Sequence, residues 1–156
     1  MIKIVEGNIL NATENIIAHQ VNCRGIMGGG LALQIKNKYP EIFNYYFNYI
    51  EDFKINNSEA KYLLGCCQIV YTSDGNKAFA NLFGQYNIGQ NKVQTDYMAL
   101  RRSLNKLLTY AKENKNSIAI PYKLGCGLAG GDWNIVYKII EDVFEDYDVT
   151  IYKFKQ

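Results

Sequence analysis

Short apolar runs alternate along this chain with longer stretches whose apolar residues recur every three or four positions. The short runs have the length and composition of strands, and the longer stretches have the spacing of amphipathic helices. Strands are predicted over 2–5, 16–21, 66–72, 77–83, 117–121 and 148–154. A first helix of about ten residues is predicted from Gly29 to a stop at Pro40, and a second begins at Pro40 and carries an apolar stripe that ends at Ile50. A third is predicted over 95–114. A fourth carries an apolar stripe from Ile135 to Phe144, and Asp132 would cap it.

The character of each apolar run indicates its place in a sheet. The run 16–21 is continuously apolar, which is typical of a strand buried on both faces. The run 2–5 is short and alternates weakly, so it is expected near a sheet edge. Residues 73–76 form a hairpin signal between two strands. Residues 56–59 and 84–91 are expected to be loops.

Strands and helices alternate, with one hairpin in the middle of the chain. This pattern favours an α/β fold in which helices cover both faces of a mixed central sheet, a three-layer α/β/α arrangement. A chain of 156 residues is of single-domain size, and no linker divides it. We therefore predict one domain over 1–156.

Composition and charge exclude several classes of protein. A hydrophobic content of 48% with 21% charged residues is typical of a soluble globular chain. No apolar run reaches the ~18 residues of a transmembrane helix, and the N-terminus does not resemble a signal peptide, so a cytoplasmic protein without a membrane partner is expected. The formal net charge of +2 and the lack of a basic stripe with interleaved aromatics argue against nucleic acid as the ligand.

The four cysteines do not form a metal-binding pattern. None belongs to a C-x-x-C pair, and the chain has a single histidine. There is also no carboxylate cluster. Reduced thiols are the expected state, and we predict neither a metal nor a cofactor.

Two glycine-rich turns, each between an apolar run and a helical stretch, are the strongest functional signal. We call residues 28–30 the first glycine loop and residues 125–131 the second glycine loop. Glycine lets a ligand approach backbone N–H groups, and a helix N-terminus favours an anion. Either loop alone could be a tight turn, but two at strand ends favour a phosphate-bearing ligand. Neither matches a P-loop or a G-x-G-x-x-G dinucleotide motif.

In their order along the chain, the segments around these loops resemble the macrodomain family, which binds ADP-ribose. The matching segments are 5–10, 17–22 running into 27–32, and 120–121 running into 124–128. Within the family the chain is most similar to the branch of the yeast-type ADP-ribose 1″-phosphatase and the terminal ADP-ribose protein glycohydrolase. The resemblance implies the macrodomain fold. It also implies ADP-ribose or ADP-ribose 1″-phosphate as the ligand, with an ADP-ribosylated macromolecule as a further candidate.

The resemblance also assigns roles to individual positions. Asn8 stands where an aspartate usually holds the adenine amino group, and an uncharged amide predicts weaker adenine binding. The aromatic Tyr152, after the last strand, would flank the adenine. The first glycine loop would lie at the distal ribose and the second around the diphosphate. The ligand-binding residues implied are Asn8, Ile9, Asn22, Met27, Gly28, Gly29, Gly30, Leu31, Phe83, Gln85, Gly125, Cys126, Gly127, Leu128, Ala129 and Tyr152.

For catalysis the resemblance to the phosphatase points to His19, with Asn22 assisting. A near-neutral imidazole beside an anion-binding loop suits acid–base chemistry or stabilisation of a phosphoryl oxygen. The alternative is a strand histidine that packs and donates to a backbone carbonyl. The favoured hypothesis is hydrolysis of ADP-ribose 1″-phosphate to ADP-ribose and phosphate.

The glycohydrolase mechanism lacks its residues in this chain. That branch uses a lysine nucleophile and an aspartate, and alignment places Gln85 and Ala129 at those positions. A glutamine cannot form the covalent sugar adduct that a lysine forms. Asp132 could replace the aspartate, although a helix cap explains it more simply. Two alternatives therefore stay open: a non-catalytic ADP-ribose reader, and a hydrolase that removes ADP-ribose from a macromolecule without a lysine nucleophile.

Overall fold

The computed structural model describes residues 1–57 and 59–154. Within them a mixed sheet runs through the protein in the order β1-β6-β5-β2-β4-β3. Neighbouring strands are parallel except for the hairpin of β3 and β4. The strands are β1 (Ile2–Glu6), β2 (Ile16–Asn22), β3 (Cys67–Tyr71), β4 (Ala78–Gln85), β5 (Ile118–Pro121) and β6 (Val149–Lys153).

Four α-helices occupy the two faces of this sheet. They are α1 (Gly30–Lys38), α2 (Pro40–Asn57), α3 (Tyr97–Asn114) and α4 (Trp133–Val143), and short 3₁₀ turns lie at Ile9–Asn11 and Ala60–Leu63. The Asp96 carboxylate caps α3 by accepting from the Ala99 amide, and Asp132 caps α4 by accepting from the Asn134 amide. The predicted capping role of Asp132 is confirmed.

The side chains of β2 alternate between two apolar layers. Ile16 and Ala18 pack with the buried faces of α3 and α4, whereas Ile17 and Val21 point to the opposite layer, which contains α1 and α2. Burial on both faces explains why the run 16–21 has no polar alternation. The three-layer α/β/α fold with a mixed sheet is confirmed, and so is the edge position of β1.

Some predicted boundaries were wrong. Helix α2 continues through Asn57, so the first part of the expected loop 56–59 is helical, while Ser58 lies outside the described residues. Strand β4 extends to Gln85 rather than stopping at Phe83, because its parallel pairing with β2 continues to Asn22 after a register shift. The loop expected over 84–91 therefore begins two residues later.

The resemblance placed Tyr152 after the last strand, which is wrong, because Tyr152 lies inside β6, as the predicted strand 148–154 implies. It pairs with Val5 of β1 and with Pro121 of β5. The register of β1 and β6 runs on to Glu6 and Lys153, so the strand includes this aromatic position.

Candidate functional site

A cavity of about 450 Å³ opens at the carboxyl ends of β5, β2 and β4, which are neighbours in the sheet. This volume is within the range of small-molecule sites, and strand carboxyl ends are where open α/β sheets bind ligands. The walls come from residues within 19–32, 85–90 and 121–129. Among the described wall residues there is no aspartate or glutamate, and Lys123 carries a positive charge. The cavity is therefore suited to an anionic ligand.

Asn22 shapes the chain that enters the first glycine loop. Its amide nitrogen donates to the Ile26 carbonyl at 2.7 Å, and its Oδ1 accepts from the Arg24 amide at 3.0 Å and from the Tyr46 hydroxyl at 2.9 Å. Helix α1 then begins at Gly30, whose φ of +55° favours glycine, and no side chain caps its first turn. The uncapped N–H groups of that turn lie at the cavity wall, where they can donate hydrogen bonds to an anion.

The second glycine loop folds back on itself through its own backbone. The Gly131 amide donates to the Gly125 carbonyl at 2.9 Å, and the Gly130 amide donates to the Gly127 carbonyl at 3.0 Å. Gly125 has φ +71° and Gly130 has φ +72°, a conformation that residues with side chains rarely adopt. These bonds hold the loop as a compact wall facing the first glycine loop.

The two glycine loops approach each other through Leu128. A Cβ atom on Gly29 would lie only 2.6 Å from Leu128 Cδ1, so glycine at this position leaves room for that side chain. Leu128 is nevertheless 55% exposed. It therefore covers part of the cavity mouth while remaining in contact with solvent.

The sequence did not predict a cluster of hydrogen-bonded polar side chains next to the cavity. The Gln20 amide nitrogen donates to Gln85 Oε1 and to Thr95 Oγ1, both at 2.9 Å. Thr95 in turn donates to the Gly125 carbonyl at 2.6 Å, and the Gln85 amide donates to the Asn87 carbonyl at 2.8 Å. Gln20 stands beside His19 in β2, but no local motif links it to Thr95, which is 75 residues away in the chain.

His19 lies at the cavity but is almost completely enclosed, with 2% of its surface exposed. Its Nε2 donates to Asn81 Oδ1 at 2.6 Å, and its Nδ1 is buried without a hydrogen-bond partner among the described residues. Burial lowers the pKa of His19 to about 4, an effect that the bond to Asn81 only partly opposes. The imidazole is therefore neutral at pH 7, and its acceptor is a side-chain carbonyl rather than the backbone carbonyl considered above.

The catalytic candidates His19 and Asn22 and many of the residues that the resemblance assigned to ligand binding come together in the walls of this cavity. They are His19, Asn22, Gly28, Gly29, Gly30, Leu31, Gln85, Gly125, Gly127, Leu128 and Ala129.

The other assigned residues, including Cys126, are not in the described walls. Asn8 accepts from the Leu10 amide at 3.0 Å and so caps the first 3₁₀ turn, where Ile9 is buried. Met27 and Phe83 are buried in the core beneath the cavity. Tyr152 donates its hydroxyl to Glu14 at 2.7 Å.

The thiols near the cavity are held in the neutral form. Burial raises the pKa of Cys23 to about 12, and burial together with the Asp132 charge raises that of Cys126 to about 11. Cys126 donates to the Leu124 carbonyl. Neither thiol is a nucleophile at neutral pH.

Residues 1–57 and 59–154 contain no group of three histidine, cysteine or acidic side chains that could hold a metal. No helix in these residues is long and apolar enough to span a membrane.

A family model described as Macro domain matches residues 18–140. The chain belongs to the Macro domain family. Its DNA ADP-ribosyl glycohydrolase relative from Mycobacterium tuberculosis is 30% identical, over 97% of this chain and 42% of that protein. This macrodomain thus spans less than half of the length of that relative. The ADP-ribose 1″-phosphate phosphatase of Saccharomyces cerevisiae is 26% identical, over 97% of this chain and 98% of that protein.

Solved structures agree with this assignment. The macrodomain of Mycobacterium tuberculosis DarG superposes with a TM-score of 0.80 at 29% identity, covering 97% of each chain. A Bacteroides thetaiotaomicron protein of unknown function gives a TM-score of 0.83 at 25% identity, covering 98% of each chain. The predicted family resemblance is confirmed.

Proposed function

We propose that this macrodomain binds ADP-ribose in the cavity between the two glycine loops and hydrolyses ADP-ribose 1″-phosphate to ADP-ribose and phosphate. The observation that carries the proposal is the cavity itself, whose described walls offer glycine amides and a lysine but no carboxylate. A diphosphate is stabilised by such amides and would be repelled by buried acids.

The match to the yeast phosphatase supports the choice of reaction, because it extends over nearly the whole of both chains. In the proposed step a water oxygen attacks the phosphorus atom, and the bond from phosphorus to the oxygen on C1″ breaks. One proton of the water stays on the phosphate that forms, and the other ends on the C1″ oxygen of the departing ADP-ribose. The charge that develops on the phosphoryl oxygens would be stabilised by amides of the first glycine loop.

In this scheme His19 works as a neutral imidazole. Its Nε2 hydrogen is donated to Asn81, which leaves the lone pair on Nδ1. Because Nδ1 is enclosed in this structure, the scheme requires the cavity wall at His19 to open before this atom accepts a hydrogen bond from the attacking water. With a pKa of about 4 it does not supply a positive charge at pH 7. Asn22 acts by fixing the path of the chain into the first glycine loop, since its side-chain atoms bond to that segment.

Phosphate release from ADP-ribose 1″-phosphate tests this activity. We expect turnover by the wild type and a loss of about tenfold or more in the His19→Ala variant. ADP-ribose binding by that variant serves as the folding control. Unchanged turnover in His19→Ala would remove His19 from the mechanism, and no turnover by the wild type would contradict the reaction.

A second candidate is the removal of ADP-ribose from DNA, favoured by the 30% identity to the mycobacterial glycohydrolase. Against it, Gln85 and Ala129 occupy the positions that the resemblance gives to the lysine and the aspartate, and the Gln85 amide is held by Gln20 and Asn87. Release of ADP-ribose from an ADP-ribosylated oligonucleotide tests this candidate. Binding of ADP-ribose without turnover of either substrate would instead indicate a reader.

A further inference from the structure

Thr95 connects two parts of the chain that meet behind the cavity wall formed by Gln20 and Gly125. It lies just before α3 and is 6% exposed. Its hydroxyl donates to the Gly125 carbonyl, and the amide of the preceding residue, Gln94, donates to the Ala129 carbonyl at 2.8 Å. The segment before α3 therefore runs against the second glycine loop and is bonded to it at Gly125 and Ala129.

Gln20 completes this connection from the sheet. Its amide nitrogen donates to Thr95 Oγ1, which leaves the threonine hydrogen for the Gly125 carbonyl. The Gly125 carbonyl also accepts from the Gly131 amide, the bond that closes the loop. A chain of hydrogen bonds thus leads from Gln20 of β2 through Thr95 to the Gly125 carbonyl oxygen, which accepts the bond that closes the second glycine loop.

The orientation of the Gln20 amide is fixed by two glycines. Its Oε1 has no N–H or O–H partner among the described residues. A Cβ atom on Gly84 would lie 2.3 Å from Oε1, and one on Gly125 would lie 2.9 Å away. A Cα–H group of each glycine therefore points at this oxygen, a weak but favourable contact. Rotating the amide would direct its N–H groups at those hydrogens, so the amide nitrogen stays directed at Thr95.

We infer that Gln20 and Thr95 are positioning residues that act as one unit to hold the second glycine loop in its ligand-binding form. The inference deepens the proposed function and rests on it for the identity of the ligand. Neither residue is assigned a contact with ADP-ribose. Their effect passes through the Gly125 carbonyl to the amides of residues 127–129, which would wrap the diphosphate.

The first measurement needs no ligand. Amide hydrogen exchange at Gly131 reports the bond to the Gly125 carbonyl in wild type, Thr95→Val, Gln20→Met and Thr95→Ser. We expect about tenfold faster exchange at Gly131 in Thr95→Val and Gln20→Met, and recovery in Thr95→Ser, which keeps the hydroxyl. The matched control is Thr72→Val, which removes another buried threonine hydroxyl from the turn between β3 and β4.

The second measurement is calorimetric titration of the same variants with ADP-ribose. We expect Kd to rise about tenfold in Thr95→Val and in Gln20→Met. The double variant should lose little more than either single one, because each change breaks the same unit. Thr72→Val should bind as the wild type does.

The two measurements separate the possible failures. Unchanged exchange at Gly131 overturns the inference, even if affinity falls, because the residues would then act on the ligand directly. Additive losses of affinity in the double variant also overturn it. Faster exchange in a protein whose wild type does not bind ADP-ribose would support the positioning role and contradict the proposed function.

Discussion

The Nε2 atom of His19 lies 2.6 Å from Oδ1 of Asn81 in the interior, between the sheet and the layer of α1 and α2. Asn81 is fully buried, and its amide nitrogen donates a second hydrogen bond, to Gln68 Oε1 at 3.0 Å. Gln68 then donates to the Tyr45 carbonyl of α2 at 3.2 Å. A line of polar groups thus crosses β2, β4 and β3 through an otherwise apolar layer, and it fixes His19 with its hydrogen on Nε2.

The titration of His19 is the first prediction. The imidazole should titrate with a pKa of about 4, because burial disfavours the charged form. Since the chain has a single histidine, its NMR ring signals can be assigned without ambiguity. A pKa near the ordinary value of about 6.5 would show that the ring is solvated.

The same shift makes stability depend on pH. The folded-state pKa of His19 lies below that of the unfolded chain, so between about pH 6.5 and 4 the unfolded state binds more protons. The contribution of neutral His19 to the free energy of unfolding is fully present above pH 6.5. It falls by up to about 3 kcal/mol as the pH drops toward 4. Urea unfolding at pH 7.5 and 4.5 measures it, and His19→Gln should show a smaller loss. Equal losses in the two proteins would contradict the prediction.

Removing the Asn81 amide should destabilise the protein strongly. Asn81→Leu is similar in size but leaves the His19 N–H unpaired in the core and takes the donor away from the half-buried Gln68 carbonyl. We expect the free energy of unfolding to fall by about 2–4 kcal/mol. Urea denaturation checks this, with Asn105→Leu on the exposed side of α3 as the control. A loss as small as that of the control would mean that the polar line is not needed for folding.

Asn8 gives a prediction about the adenine end of the ligand. Its side chain caps the first 3₁₀ turn, and an aspartate could make the same bond. By the family resemblance, Asn8→Asp should add a charge-assisted bond to the adenine amino group and tighten ADP-ribose binding by about threefold to tenfold. Calorimetry checks this, with ribose 5-phosphate as the ligand that lacks adenine. An equal gain in affinity for ADP-ribose and for ribose 5-phosphate would contradict the prediction, because it would show that Asn8→Asp does not act through the adenine.

The sequence contained enough to predict the fold and the place of the site. The continuous apolar run of β2 indicated a central strand, and the glycine loops marked the strand ends where the cavity lies. Asp132 was recognised as a cap because that interaction is local, reaching only two residues along the chain. Boundaries such as the end of β4 depended on pairing with a distant strand, which local patterns do not report.

The chemistry inside the cavity was less predictable. The burial of His19 and its bond to Asn81 depend on residues 62 positions apart, so its pKa could not be inferred from the motif alone. Gln20 was passed over for a similar reason. Its partners Gln85 and Thr95 reach it only after β2 and β4 are paired and the segment before α3 has folded over them.

Gly127 offers the most direct test of the central claim that ADP-ribose binds between the two glycine loops. This residue lines the cavity, and a Cβ atom there would meet no atom within 4 Å. Gly127→Glu therefore places a carboxylate where the diphosphate is proposed to lie, and Gly127→Gln places a neutral side chain of the same size. The measurement is calorimetric titration of ADP-ribose into the wild type and both variants.

We predict one binding site per chain in the wild type, and an affinity for Gly127→Glu that is at least about tenfold weaker than for Gly127→Gln. The difference should shrink at high salt. The absence of binding by the wild type, or equal affinities for the two variants, would contradict the account.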